Sequence, residues 1–215
     1  FPTRRSSDLF TLASGQLSLG AAGFMSVGAY VGAMLSLKAD LPIIVGIIIG
    51  GLVASLVAVI IGLPTTRLRG LYLAIATLGF GEVVRVIFLN LDVTNGALGL
   101  SGIPSIPQEL TNYAYEFDID GLMDLDAVTW GNLMAIIILL VVLALIIAFC
   151  VRINNSRVGR AFAAIKADDH AAELMGINVV YYKMMAFIIG AFIAGIGGGL
   201  YAHITNFINP TDFSY

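Results

Sequence analysis

Four stretches of the chain contain no Asp, Glu, Lys or Arg: those between Asp8 and Lys38, Asp40 and Arg67, Asp126 and Arg152, and Lys183 and Asp212. Each is longer than the roughly 20 residues that an α-helix rising ~1.5 Å per residue needs to cross about 30 Å of hydrocarbon. A fifth apolar stretch, Gly70 to Leu91, is broken only by Glu82 and Arg85. The pattern predicts five spans, near 11–37, 42–63, 70–91, 131–152 and 181–206. These runs do not alternate in polarity, so they do not read as strands of a membrane barrel. The expected fold is all-α, a polytopic transmembrane bundle.

The polar residues between the spans set an orientation. Arg67 and Arg69 separate spans two and three, and Arg152, Arg157, Arg160, Lys166 and Lys183 surround the loop between four and five. Short basic loops stay in the cytoplasm. The segment 92–130 carries Asp92, Glu109, Glu116, Asp118, Asp120, Asp124 and Asp126 with no Lys or Arg, so it is expected outside. Parity agrees: five spans put both basic loops on one face and the acidic segment on the other.

Composition sharpens the class. The chain is 59% hydrophobic and 12% charged, with a mean hydropathy of +0.94. That is more apolar surface than one water-soluble core can hide. Cys150 is the single cysteine; it cannot form an internal disulfide and reads as a small buried side chain. Thr3–Leu9 matches one reading frame of a common sequencing adapter. Residues 1–9 are therefore expected to be non-native, Arg4 and Arg5 are set aside, and 10–215 is read as one membrane domain lacking its natural start.

Nothing in the chain reads as catalytic, so it is expected not to be an enzyme. His170 and His203 are far apart, and no metal-binding HExxH, phosphate loop or nucleophile elbow occurs. If ATP is used, another chain binds it. Asp118-Ile119-Asp120-Gly121 fits a calcium loop poorly and reads as solvated acidic loop. Glu82 and Arg85, three residues apart, fall on nearly one helix face at membrane depth. They are candidates for a translocation path that meets a zwitterion, or for a pair that neutralises itself. Gly28 and Gly32, Gly46 and Gly50, and Gly195 and Gly199 repeat at four-residue spacing, which favours close helix packing, between subunits or within the chain. The run Gly195–Gly199 further suggests a bend or an unwound stretch beside a cavity.

The loop 153–180 carries helix punctuation. Asp168 or Asp169 can cap a helix start and Gly176 can end it in a left-handed conformation, giving about two turns through His170, Ala171, Ala172, Glu173, Leu174 and Met175. A docking element and a helix lying on the membrane surface both fit that spacing.

These residues resemble a known family, the membrane-spanning subunits of ABC importers for branched-chain amino acids. The resemblance is carried by GQLSLG from Gly15, GAY from Gly28, LRGLYLAI from Leu68, TLGFGE from Thr77, GLSGIP from Gly99, GRAFAAI from Gly159, AAELMGIN from Ala171 and LYAH from Leu200. It implies a multi-pass protein of a bacterial or archaeal inner membrane. The implied partners are a second, related permease, two cytoplasmic ATP-binding subunits and an extracytoplasmic substrate-binding protein. An amino acid is the implied substrate, the bilayer is the solvent, and no nucleic acid is involved. The chain itself would hold no cofactor. By the same resemblance Ala171–Asn178 is the coupling region that docks on an ATPase, GLSGIP lies where substrate is delivered, and further spans belong at both ends. Ala21 stands where many relatives have histidine, and His170 where an apolar residue or proline is more usual, which leaves room for permeases of urea, short amides or other amino acids. A self-contained secondary transporter or channel would explain the spans but not the capped loop helix; an intramembrane enzyme would need a reactive constellation that is not there.

Overall fold

The computed structural model describes residues 20–39, 41–65, 71–116 and 127–213. Residues 1–9, GQLSLG before Gly20, Arg67, Arg69 and the Asp118–Gly121 string lie outside the described residues. The helices are α1 (Ala21–Lys38), α2 (Ile43–Thr65), α3 (Leu71–Asn90), α4 (Ile106–Glu116), α5 (Ala127–Asn154), α6 (Arg157–Ala167), α7 (Asp169–Leu174) and α8 (Val179–Thr205). Two strands of two residues, β1 (Leu100–Ser101) and β2 (Phe207–Ile208), pair antiparallel with Leu100 opposite Ile208. The fold is a polytopic helical bundle with this one short bridge.

The five long helices fall on the five predicted spans. Among the described residues, α1, α2, α5 and α8 contain segments long and apolar enough to cross a membrane. α3 is a continuous helix that carries Glu82 and Arg85. The bridge and α4 were not expected from the apolar pattern, which marks only long spans. α4 nevertheless has a local signal: the Ser105 hydroxyl accepts the Gln108 N–H at 3.1 Å, Pro107 sits in the first turn and Glu109 follows it. Cys150 is half-buried and not enclosed as expected.

α1, α2 and α8 form the centre of the bundle. Apolar helices in lipid gain little hydrophobic energy from one another, so their association depends on how closely backbones approach. Gly28 packs on the Gly195 backbone, a Cβ on Gly50 would stand 2.6 Å from the Gly28 carbonyl oxygen, and one on Gly195 would stand 2.9 Å from Gly51 Cα. A Cβ on Gly32 would be 3.4 Å from the Gly46 carbonyl and on Gly199 3.3 Å from Ile47 Cα. The six glycines thus face one another inside the chain, along one seam. The order of contacts makes α1 and α8 parallel and α2 antiparallel to both. α8 is helical throughout, so the expected unwound stretch at Gly195–Gly199 is absent; Gly195, Gly198 and Gly199 meet neighbouring helices while Gly197 meets open space.

α3 lies against α1 through aromatic contacts. Phe24 touches Phe80 at a centroid distance of 5.1 Å and Phe187 of α8 edge-on at 5.3 Å, and Tyr30 stacks on Phe88 at 4.4 Å. The ends of α1, α3 and α8 therefore share one end of the bundle, where the β1–β2 bridge and a 3-10 turn over Pro210–Phe213 close over Tyr30, Leu100, Ile103 and Ala202. α6 and α7 lie at the opposite end, between the end of α5 and the start of α8. The structure so separates Arg157, Arg160 and Lys166 from Glu109 and Asp212 by the thickness of the bundle.

Candidate functional site

Two regions could bear function: the α6–α7 segment at the basic end and the faces of α3, α5 and α8 within the bundle. The first is built from local rules. Ser156 caps α6, its hydroxyl accepting the Val158 N–H at 3.1 Å. Asp168 then caps α7: its carboxylate accepts the His170 N–H at 2.8 Å and the Ala171 N–H at 3.2 Å. These two backbone donors, Ala171 first, hold the Asp168 carboxyl below the usual carboxylate range. Asp169, the other capping candidate, is instead the first residue of α7.

α7 ends as abruptly as it starts. Gly176 has φ +81°, Gly176 N–H donates to the Glu173 carbonyl at 3.0 Å, and Ile177 N–H donates to the Ala172 carbonyl at 3.1 Å. This is the hydrogen-bond pair of a Schellman turn, which only a residue at ease with positive φ closes cheaply. Asn178 caps the next helix, its side-chain oxygen accepting the Tyr181 N–H at 3.1 Å. Ala172 is buried, whereas Leu174 and Met175 are 90% and 80% exposed. This helix of six residues thus has both ends capped, with the large apolar side chains of Leu174 and Met175 in the open.

Two tethers fix α6 and α7 to the bundle. Lys183 on the first turns of α8 is ion-paired with Asp169, and Phe162 of α6 meets Tyr182 edge-on at 6.2 Å. Spacing gave no hint of the Asp169–Lys183 pair; the signal for it was a lone lysine at the mouth of an apolar span.

Within the bundle, Arg85 binds Glu82 through its Nε, at 3.1 and 3.0 Å from the two carboxylate oxygens, and also through Nη2. The Glu82 side chain is 53% exposed and that of Arg85 26%. A separate cavity of about 750 Å³ opens between α2, α4, α5 and α8, lined by apolar residues such as Ile47, Ile146, Phe149, Phe192 and Ile196. Among the described residues, Glu109 of α4 is the one charged residue that lines it. Glu82 and Arg85 do not line it.

At the other end of the seam, His203 is fully buried. Its Nδ1–H donates to the Gly199 carbonyl at 2.7 Å, and Nε2 lies 2.9 Å from the Ser36 hydroxyl. It ties α8 to α1, a structural part that sequence reading did not assign. Among the described residues, no group of three or more His, Cys, Asp or Glu could hold a metal ion.

Residues 7–215 match the family described as branched-chain amino acid transport system / permease component. The chain is 34% identical over 212 residues to the high-affinity branched-chain amino acid transport system permease protein LivM of Salmonella typhimurium and, to the same extent, to LivM of Escherichia coli. Each alignment covers 94% of this chain and 49% of the relative, so the chain spans about half the length of the curated relatives it matches. No solved structure matches.

Proposed function

As this chain belongs to the branched-chain amino acid transport system permease component family, we propose that it forms part of the path of an ATP-driven importer of branched-chain amino acids in a bacterial or archaeal inner membrane. The importer is assembled from this permease, a second related permease, two cytoplasmic ATP-binding subunits and an extracytoplasmic binding protein. This chain moves substrate without altering it and needs no cofactor; ATP is hydrolysed by the partners.

The observation that carries the reading is α7. A helix this short does not hold itself together in water, yet Asp168 and the Gly176 turn lock both ends and leave Leu174 and Met175 bare. An ATP-binding subunit that receives α7 in a groove would bury those two side chains. Asp168, Asp169, Ala171, Ala172, Glu173 and Gly176 shape the element; Leu174 and Met175 contact the partner. Transport then follows alternating access, with closure of the ATPases felt by the bundle through the 153–180 segment. The Glu82–Arg85 pair is offered to the path only if a second permease faces α3 on its open side. The cavity beside α8 supplies an apolar wall suited to aliphatic side chains.

The test is reconstitution of the permease with its ATP-binding and binding-protein partners in proteoliposomes, with leucine uptake measured with and without ATP. Uptake is expected only with ATP and the ATPases. Uptake that persists without them would overturn the reading, and uptake of urea or amides in place of leucine would transfer the substrate class to that branch of the family.

A further inference from the structure

Docking at α7 moves substrate only if α7 pulls on a helix of the bundle, and the residues that transmit that pull are unassigned. Resting on the docking role, we infer that the Asp169–Lys183 ion pair is a positioning strut that makes α7 and α8 move as one body. Lys183 is nearly enclosed, with 11% of its side chain exposed, and Asp169 has 30%. A cation held this deep at the start of an apolar span is stable only with its counter-charge beside it. Losing the carboxylate therefore forces Lys183 to swing away toward water, and the contact with it. The chain between the two helices adds no slack: the Schellman turn ends α7, Asn178 caps α8, and only Met175, Gly176, Ile177 and Asn178 lie between.

What α8 does with the pull follows from its other contacts. It is one helix of 27 residues. Its middle packs on α1 and α2 through Gly195 and Gly199 and lines the cavity with Phe192 and Ile196. Its far end continues into β2, which pairs with β1 of the GLSGIP segment, and Asn209 Nδ2–H donates to the Ala97 carbonyl at 3.2 Å. A displacement entering at Lys183 reaches the cavity wall and the opposite face of the bundle along a single rigid element. Close-packed seams resist continuous deformation and shift between discrete arrangements, so a loose strut dissipates the motion before it reaches them.

The experiment uses proteoliposomes of the assembled transporter and reads leucine moved per ATP hydrolysed, with ATPase co-purification scored in parallel. Lys183→Asp alone is expected to lower that ratio about tenfold, within the range for coupling between sites, with the ATPases still bound, and Asp169→Lys alone is expected to lower it in the same direction. The exchanged pair, Asp169→Lys with Lys183→Asp, is expected to recover the ratio to within about twofold. Asp169→Asn, nearly isosteric, guards against variants that fail to insert, and is expected to lower the ratio in the same direction. An unchanged ratio in the single variants, or an exchanged pair no better than its parents, would overturn the strut while leaving the docking role standing. Transport by the unaltered protein without ATPases would overturn both.

Discussion

Asp168 is the residue on which the shape of α7 turns. Its carboxylate satisfies the Ala171 and His170 N–H groups, which would otherwise face solvent at the start of a six-residue helix. Because those hydrogen bonds hold its pKa below the usual carboxylate range, the unfolded cap binds protons more readily than the folded one. The capping stability is therefore complete above the ordinary carboxylate value and is lost as pH falls through the lowered one. The protection of the amides at residues 170–174, measured against their intrinsic exchange rate at each pH, is expected to fall on such acidification, while Asp168→Asn, which keeps an accepting oxygen, flattens that dependence. Asp168→Ala is expected to remove the protection at every pH. His203 teaches a second lesson at this scale. Its buried contact with Ser36 makes it a fastener between two spans, although by sequence it was only a histidine without a metal partner.

At the scale of elements, the glycine seam decides how α1, α2 and α8 sit. Four-residue spacing put each glycine pair on one face of its own helix, but only the packed bundle shows that the three faces point at one another. Gly28→Leu or Gly198→Leu would drive a side chain into the backbone of the facing helix. Each is expected to cost about 1–3 kcal/mol, read as a lowered unfolding midpoint in detergent. Gly190→Leu and Gly197→Leu, on faces of α8 where nothing stands within 4 Å, are expected to cost nothing and to gain at most about 1 kcal/mol from the better helix former. Equal losses in both sets would mean that close approach along the seam is not what the substitutions measure, because replacing glycine by leucine favours the helix itself.

For the whole molecule the arrangement of ends is the central property. α1, α3 and α8 run one way and α2 and α5 the other, so α6–α7 lies at one end and the β1–β2 bridge at the opposite one. A cysteine at Glu173, in a Cys150→Ser background, is expected to resist an impermeant maleimide applied outside intact cells and to react once the membrane is opened; labelling from outside would invert the topology. The number, type and position of the long helices could be read from the chain because lipid imposes a simple rule on each segment separately: some 20 residues without charge, whatever lies beside it. The α7 punctuation was legible for a similar reason, since caps and left-handed turns are satisfied by residues a few positions apart. The Asp169–Lys183 tether, the His203–Ser36 bond and the pairing of Leu100 with Ile208 were decided only by the tertiary structure. Each joins or orients groups distant in sequence, and which of them meet depends on helix rotation, which apolar residues on every side leave undetermined until the backbones pack.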